Sequence, residues 1–446
     1  MKLSDIVKRD PASFLVGDDR ELLSLSLDTR TLKPGDCFIA LSGENFDGHD
    51  FIDEAIQKGA KSLILSQKEK IDNLAISACI VQDTMVTLGH LGQAKRKKSS
   101  ASLIGLTGSC GKTTVKSMLG SILTPLAPTV VTAGNYNNHV GLPLTLWRLA
   151  PDTRYGVLEM GANHPGEIAY LSKLAEVDVA LITNVAPAHL AGFGTLENVA
   201  RAKGEIYDNL KPEGIAVLNA DEPYLSLWQA KLSKQARVFF GLEVKKDIWA
   251  DNIECYPLSS QFVLQTPVAR QQVTLQVAGK HNISNALAAA SAAYALGISL
   301  EDIVAGLEAF EGVLGRLCVY QGLNGVRLID DTYNANPRSV EAALGVLANM
   351  PGDKIFVFGQ MRELGQDEVS WHQKIGEIAK SKGIDKLYAL GGLCQHTAEA
   401  FGEAARWFET HEDLILALKT ECHPKVSLLI KGSRSSRMEK VVNALK

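Results

Sequence analysis

The sequence predicts an α/β fold of three domains, the central one built on a mostly parallel sheet. Three observations lead there. From residue 102 onward, short apolar runs alternate with stretches of helical spacing, which is the rhythm of a parallel sheet covered by helices. The 446 residues suffice for two to four domains with buried cores, and 46% hydrophobic against 22% charged residues is ordinary for a soluble globular protein. A basic cluster ending at Lys98 and a fresh start of the alternation after "EGVLGR" divide the chain into residues 1–98, 99–313 and 314–446.

In the first region, "DCFIAL" and "AKSLILS" read as strands around the helical "FIDEAIQKGA", a small α/β unit. The central region opens with the apolar "SLIGLTG". "YGVLEM", "VDVALITNV" and "GIAVLNA" follow as further strands, with helical stretches between them. Between about residues 236 and 279 the texture changes, and "FVLQTP" and "QQVTLQV" suggest antiparallel strands. "NISNALAAASAAYAL" is then a helix whose small side chains allow close packing on a sheet. In the last region "VRLIDD", "KIFVFG", "DKLYALGG" and "KVSLLIKGS" are each followed by a helix-like run, a Rossmann-like pattern. It lacks G-x-G-x-x-G, so a dinucleotide is not indicated.

The net charge of −4 gives no electrostatic case for nucleic acid or an anionic membrane. The basic "KRKK", Lys95 to Lys98, reads as a solvated domain junction. Seven cysteines without a C-x-x-C pair argue against a zinc site or a disulfide framework and fit a reducing cytosol. The opening "MKLSDIVKRD" has no apolar core, and no apolar run approaches membrane-spanning length, so a cytoplasmic protein without membrane insertion is expected.

Chemistry gathers at "TGSCGKTT": Thr107, Gly108, Ser109, Cys110, Gly111, Lys112, Thr113 and Thr114. A strand, a glycine-bearing turn and a helix start would aim several backbone N–H groups at one anion, with the helix dipole behind them. Lys112 can reach outer phosphates, and the Thr113 hydroxyl is placed for Mg²⁺. Leu106 stands where the full G-x-x-x-x-G-K-[ST] pattern has its first glycine, and Gly105 is one position off. Glu159 ends an apolar run, where an acid either positions a metal or simply faces solvent. His189, just past "ALITNV", belongs at the same sheet edge and is either structural or a ligand. Lys203 falls in an apolar helical stripe with Val199, Ile206 and Leu210. Such a lysine either snorkels to water or is held inside for chemistry with its pKa lowered.

In order along the chain, "TGSCGKTT", "LEMGANHPGEI", "NVAPAHLAGFG", "RAKGEIY", "GKHNISNALAA", "DDTYNANPRS" and "KGSRSSRMEKVV" resemble the motifs of the Mur ligase family. The resemblance covers all three regions and is strongest from residue 105 onward. It implies an N-terminal UDP-substrate domain, a central ATP-binding domain and a C-terminal ligase domain, with ATP and Mg²⁺ as cofactors. Carried over, Lys112 is the phosphate lysine; Thr113, Glu159 and His189 are metal ligands; and Lys203 is a carbamylated lysine that also ligates metal. Asn282, Asn285, Arg316 and Asp331 would grip adenine and ribose. Ser26, Thr29, Arg30 and Asn45 resemble the UDP-sugar site, and Asn135, Asn137 and Asn138 a loop near the muramoyl group. Asn334 and Asn336 belong to "DDTYNANP", the motif that separates members adding a dipeptide from those adding the third stem residue.

The implied reaction joins D-alanyl-D-alanine to UDP-N-acetylmuramoyl-tripeptide through an acyl phosphate, carried out by a monomer. Another amide ligase of the same fold, or a nucleotide switch that makes no bond, are the competing readings. Two residues depart from the family pattern: Cys110, where serine or asparagine is commoner, and Gln360, where aspartate is common.

Overall fold

The computed structural model describes residues 1–43, 46–68, 76–187 and 190–446, which fold around three sheets. The first sheet contains β1 (Phe14–Val16), β2 (Leu25–Ser26), β3 (Cys37–Ile39), β4 (Ser62–Leu65) and β5 (Ser77–Ile80), in the order β1-β5-β4-β3-β2. All its pairings are parallel except that of β1 with β5. Ile52 and Ala55 of the helix Ile52–Gln57 cover one face, against Phe38 and Leu63. Leu88 and Leu91 of the helix Thr84–Lys97 cover the other face and meet Trp147 of the central region.

The central sheet has nine strands: β6 (Ser102–Thr107), β7 (Thr129–Val131), β8 (Tyr155–Glu159), β9 (Val179–Ile182), β10 (Ile215–Asn219), β11 (Ala236–Gly241), β12 (Ile248–Cys255), β13 (Ser260–Gln265) and β14 (Arg270–Leu275). Their order is β14-β13-β12-β11-β10-β9-β6-β8-β7, parallel from β7 to β12 and antiparallel beyond; "FVLQTP" and "QQVTLQV" are antiparallel as expected, but β11, at residue 236 where the texture changes, still pairs parallel on both sides. Along β6, Ile104 and Leu106 face one core and Leu103 the other, so both faces are covered and the strand is apolar throughout. The first core is closed by the helices Lys112–Leu123 and Lys280–Ala295. The second helix buries Ala286, Ala288, Ala289, Ala290, Ala292 and Ala293, and these small side chains let it lie close to the sheet and its neighbour.

The third sheet joins β15 (Cys318–Gln321), β16 (Arg327–Asp331), β17 (Asp353–Gly359), β18 (Lys386–Leu390), β19 (Ala405–Phe408) and β20 (Val426–Lys431) in the order β15-β16-β20-β17-β18-β19. Only β15 runs antiparallel to its neighbour among these described strands. Because β20 returns between β16 and β17, the carboxyl ends of these three strands form the switch point where open α/β sheets bind ligands.

The junction near Lys98 differs from the sequence expectation. Arg96 is buried, donating to the carbonyls of Ala101, Ala175 and Glu176 and to Asp178 Oδ2 at 2.9–3.0 Å. Lys97 and Lys98 are exposed as expected, but the cluster's arginine joins the end of its helix to the central core. All seven cysteines are unpaired. Among the described residues no helix is long and apolar enough to cross a membrane.

Candidate active site

The loop between β6 and the helix Lys112–Leu123 can only be made with glycine at two positions. Gly108 has φ +153° and Gly111 φ +80°, and a Cβ would strike Thr183 Oγ1 at the first and Asn285 Oδ1 at the second. The segment after β9 frames the loop. Asn184 accepts from the Ser109 N–H through its carbonyl and from the Cys110 N–H through Oδ1, both at 2.9 Å. Thr183 Oγ1 donates to the Cys110 carbonyl at 2.6 Å. Gly105 has a separate role inside β6, where a Cβ would crowd Val177 and Met160 at 2.9 and 3.1 Å.

Two lysines one helical turn apart face the acid that ends β8. Lys112 Nζ folds back to donate to the Gly108 carbonyl at 2.7 Å. Lys116 is almost fully buried, donates to the Gly134 carbonyl at 2.6 Å, and lies 3.1 Å from Glu159 Oε2. Glu159 Oε1 accepts from Asn137 Nδ2 at 2.8 Å, while the buried Oε2 faces the Lys116 ammonium. Burial alone would raise the Glu159 pKa, but Lys112, Lys116 and Asn137 hold it below the ordinary value. Burial also lowers the Lys112 pKa, against the pull of Glu159. A buried carboxylate held anionic by its neighbours, beside the cleft that Thr113 also lines, fits a hard divalent cation. Lys116 was not singled out in the sequence; its i, i+4 relation to Lys112 is the signal that could have found it.

Lys203 lies in the helix Leu196–Gly204 and is 2% exposed, so of the two possibilities left open by spacing the side chain takes the inward one. Val199, Ile206 and Leu210 are buried with it. Among the described residues no hydrogen bond or ion pair reaches its Nζ. Burial, reinforced by repulsion from Lys112, lowers its pKa to about 7. His189 and Asn45 lie outside the described residues.

The opposite wall comes from the C-terminal region. Arg316 Nη2 donates to Thr113 Oγ1 at 2.9 Å, and its guanidinium lies 4.3 Å from the Tyr333 ring centroid. Asn336, the N-cap of the helix Pro337–Ala348, places its amide against Cys110 Sγ. Asp331 and Lys431, at the carboxyl ends of β16 and β20, pair at 2.6 Å, and Lys431 also donates to the Asn334 carbonyl. Burial raises the Asp331 pKa, against the pull of Lys431. Asn282 and Asn285 share a hydrogen bond of 3.2 Å beside the loop.

These walls enclose a cleft of about 1200 Å³. Ser109 to Thr114, Asn135, Asn137, Asn138, Glu159, Asn282, Asn285, Arg316, Asp331, Asn334 and Asn336 line it; Thr107 and Gly108 lie behind the loop they shape. Ser26, Thr29 and Arg30 are not brought to the cleft. Arg30 instead pairs with Asp28 at 2.7 Å, and the Thr29 carbonyl accepts from Lys58. Gln360 lies outside the lining too, its carbonyl accepting from the Ser433 and Ser436 hydroxyls.

Three family models match the chain: the Mur ligase family catalytic domain at residues 22–95, the Mur ligase middle domain at 106–293, and the Mur ligase glutamate ligase domain at 315–434. The UDP-N-acetylmuramoyl-tripeptide–D-alanyl-D-alanine ligase of Escherichia coli (strain K12) is 42% identical over 100% of this chain and 97% of its own length. The Bacillus subtilis (strain 168) protein of the same name is 33% identical over 94% and 92%. Among solved structures, MurF from Acinetobacter baumannii superposes with a TM-score of 0.92 at 37% identity, covering 98% of this chain and 97% of that one. MurF ligase from Thermotoga maritima in complex with ADP has a TM-score of 0.83 at 30% identity, covering 94% and 96%. With three matching family models, a shared architecture and relatives aligned over nearly their whole length, the chain belongs to the Mur ligase family.

Proposed function

We propose that this chain is an ATP-dependent amide ligase of peptidoglycan precursor synthesis, joining D-alanyl-D-alanine to UDP-N-acetylmuramoyl-tripeptide. The observation that carries the reading is the cleft between two domains, in which a glycine-shaped phosphate loop and paired lysines face a buried acid. The full-length similarity to ligases of that name narrows the substrates.

In the proposed reaction the terminal carboxylate of the tripeptide attacks the γ-phosphorus of ATP, forming an acyl phosphate and releasing ADP. The dipeptide amine then attacks the acyl carbon; the amide C–N bond forms, the amine loses a proton and phosphate leaves. Lys112 would turn from the Gly108 carbonyl toward the phosphates, and the loop N–H groups would cradle them. Thr113, Glu159, His189 and Lys203 would hold Mg²⁺, which supplies neutralising charge to the transferring phosphoryl group. The burial-lowered amine of Lys203 suits reaction with CO₂, which would replace a cation by a carbamate with two hard oxygen ligands.

Residues 1–98 are proposed as the UDP-substrate domain, 99–313 as the ATP domain and 314–446 as the ligase domain, whose cover over the cleft would keep water from the acyl phosphate. Ser26, Thr29, Arg30 and Asn45 are proposed for the UDP-sugar, and Asn135, Asn137, Asn138, Asn334 and Asn336 for the peptide side of the site. Asn282, Asn285, Arg316 and Asp331 are proposed for adenine and ribose. A cytoplasmic monomer is the proposed working form; unpaired cysteines support the location.

The test is product analysis with ATP, Mg²⁺, D-alanyl-D-alanine and UDP-tripeptides ending in diaminopimelate or lysine. ADP, phosphate and a UDP-pentapeptide are expected. AMP and pyrophosphate, or ATP hydrolysis indifferent to the peptide, would reject the reading.

A further inference from the structure

The interface between the central and C-terminal domains holds a charged pair that the chemistry above does not use. Glu222, just beyond β10, belongs to the central domain, and its side chain is 4% exposed. Its counter-ion comes from the other domain and is half exposed at the edge of the cleft. Arg338 Nη1 lies 3.2 Å from Glu222 Oε1 and also donates to the Val185 carbonyl at 2.9 Å. Arg338 stands in the first turn of the helix Pro337–Ala348, two residues past the cap Asn336 that meets Cys110.

The Val185 contact leads directly to the phosphate loop. On one side of Val185, Asn184 accepts from the Ser109 and Cys110 N–H groups and donates Nδ2 to the Cys110 carbonyl at 3.1 Å. On the other, the Ala186 carbonyl accepts from Ser109 Oγ at 3.1 Å. Segment 184–186 is therefore gripped twice, by the loop it frames and by an arginine from the domain across the cleft.

We propose that Arg338 and Glu222 form an interdomain latch, a positioning pair that seats the C-terminal domain on the central one and thereby couples docking to the shape of the phosphate loop. A buried carboxylate without a counter-ion is costly, so Glu222 favours whichever arrangement brings Arg338 to it. With Arg338 itself half exposed, the pair adds little net stability, but its geometry selects one registry of two surfaces. The guanidinium suits this task because one rigid head serves a carboxylate and a carbonyl together. Only the kinetic part of the latch's role rests on the proposed ligase activity.

The experiment compares the full-length wild type with Arg338→Ala, Arg338→Lys, Glu222→Gln and the Arg338→Ala/Glu222→Gln double variant. Ligand-free small-angle scattering, ADP affinity by titration, and ligation kinetics are measured on each. Arg338→Ala should expand the ligand-free protein and weaken ADP binding by roughly 5- to 150-fold, the usual range of coupling between linked equilibria. Arg338→Lys and Glu222→Gln should do so less, and they carry the test if the alanine variant folds poorly. The double variant should be no worse than Arg338→Ala alone, since each change breaks the same contact. Scattering and ADP affinity unchanged in Arg338→Lys, Arg338→Ala and Glu222→Gln would overturn the latch, as would additive losses in the double variant. Failure of the wild type to make the pentapeptide product would reject the proposed activity and leave the scattering and ADP arms to judge the latch by themselves.

Discussion

Lys112, half-buried in the cleft, and Lys203, fully buried, are lysines put to different ends. Lys112 has a carbonyl to rest on, and the pull of Glu159 opposes the burial that lowers its pKa. Lys112→Ala should lower ATP turnover on the order of 10²-fold, the usual loss when one preorganised charge stabiliser is removed. UDP-substrate binding should persist, and turnover near the wild-type rate would refute the assignment. Among the described residues Lys203 has no partner to keep it charged, and its pKa falls from 10.5 to about 7. Between those values the folded state binds fewer protons than the unfolded state, so stability must rise with pH; below about pH 7 both states are charged and the burial cost is constant. Relative to Lys203→Met, metal-free wild type should gain about 1.4 kcal/mol per pH unit between about pH 7 and pH 9, read from urea unfolding in CO₂-depleted buffer. A flat difference would mean that Lys203 keeps its proton. The carbamate has its own test: Lys203→Ala should lose ligation and regain part of it with acetate, and Lys203→Arg should stay inactive. An active arginine variant would rule the carbamate out.

At the scale of elements, one strand end or helix end often serves two masters. The helix Thr84–Lys97 covers the first sheet with Leu88 and Leu91, while Arg96 near its end is bonded into the central core. Arg96→Ala would strand three carbonyls and weaken the pairing of Asp178, which Lys211 also holds at 2.6 Å. The expected cost is about 2–4 kcal/mol in urea unfolding, as for a broken buried charge network; a change within ~0.5 kcal/mol would mark the contacts as dispensable. The "KRKK" run looked solvated because composition records charge but not the carbonyls waiting for it. The same limit explains which elements could be read from sequence. β8, β9 and β10 are apolar because both their faces are covered, and so they stand out. β2 is two residues long, and β19 exposes Arg406 and Trp407, so neither carries a pattern. In the site, the phosphate loop announces itself because its conformation demands Gly108 and Gly111. Contacts such as Arg316 to Thr113, 203 residues apart, leave no local trace.

For the whole molecule, the arrangement of candidate sites implies motion. The phosphate loop, Glu159 and the C-terminal wall share one cleft, whereas Ser26, Thr29 and Arg30 are outside it. If those residues hold the UDP-sugar, a single substrate must span from the first domain to the γ-phosphate in the cleft. On that reading ATP would bridge the central and C-terminal domains and the UDP-tripeptide the first and central ones, so each ligand alone would close only part of the chain. Small-angle scattering with a non-hydrolysable ATP analogue and UDP-tripeptide together should therefore show a more compact particle than with either ligand alone. The Arg96 contacts restrict how this can happen, because they fix the end of the helix Thr84–Lys97, which carries the first sheet, to the central core. Removing that anchor with Arg96→Ala should enlarge the ligand-free particle, and saturating ligands should bring it back toward the wild-type size. A wild-type profile that stays the same under both ligands together would mean that the substrate reaches the cleft without closure, and Ser26, Thr29 and Arg30 would then lose their proposed role.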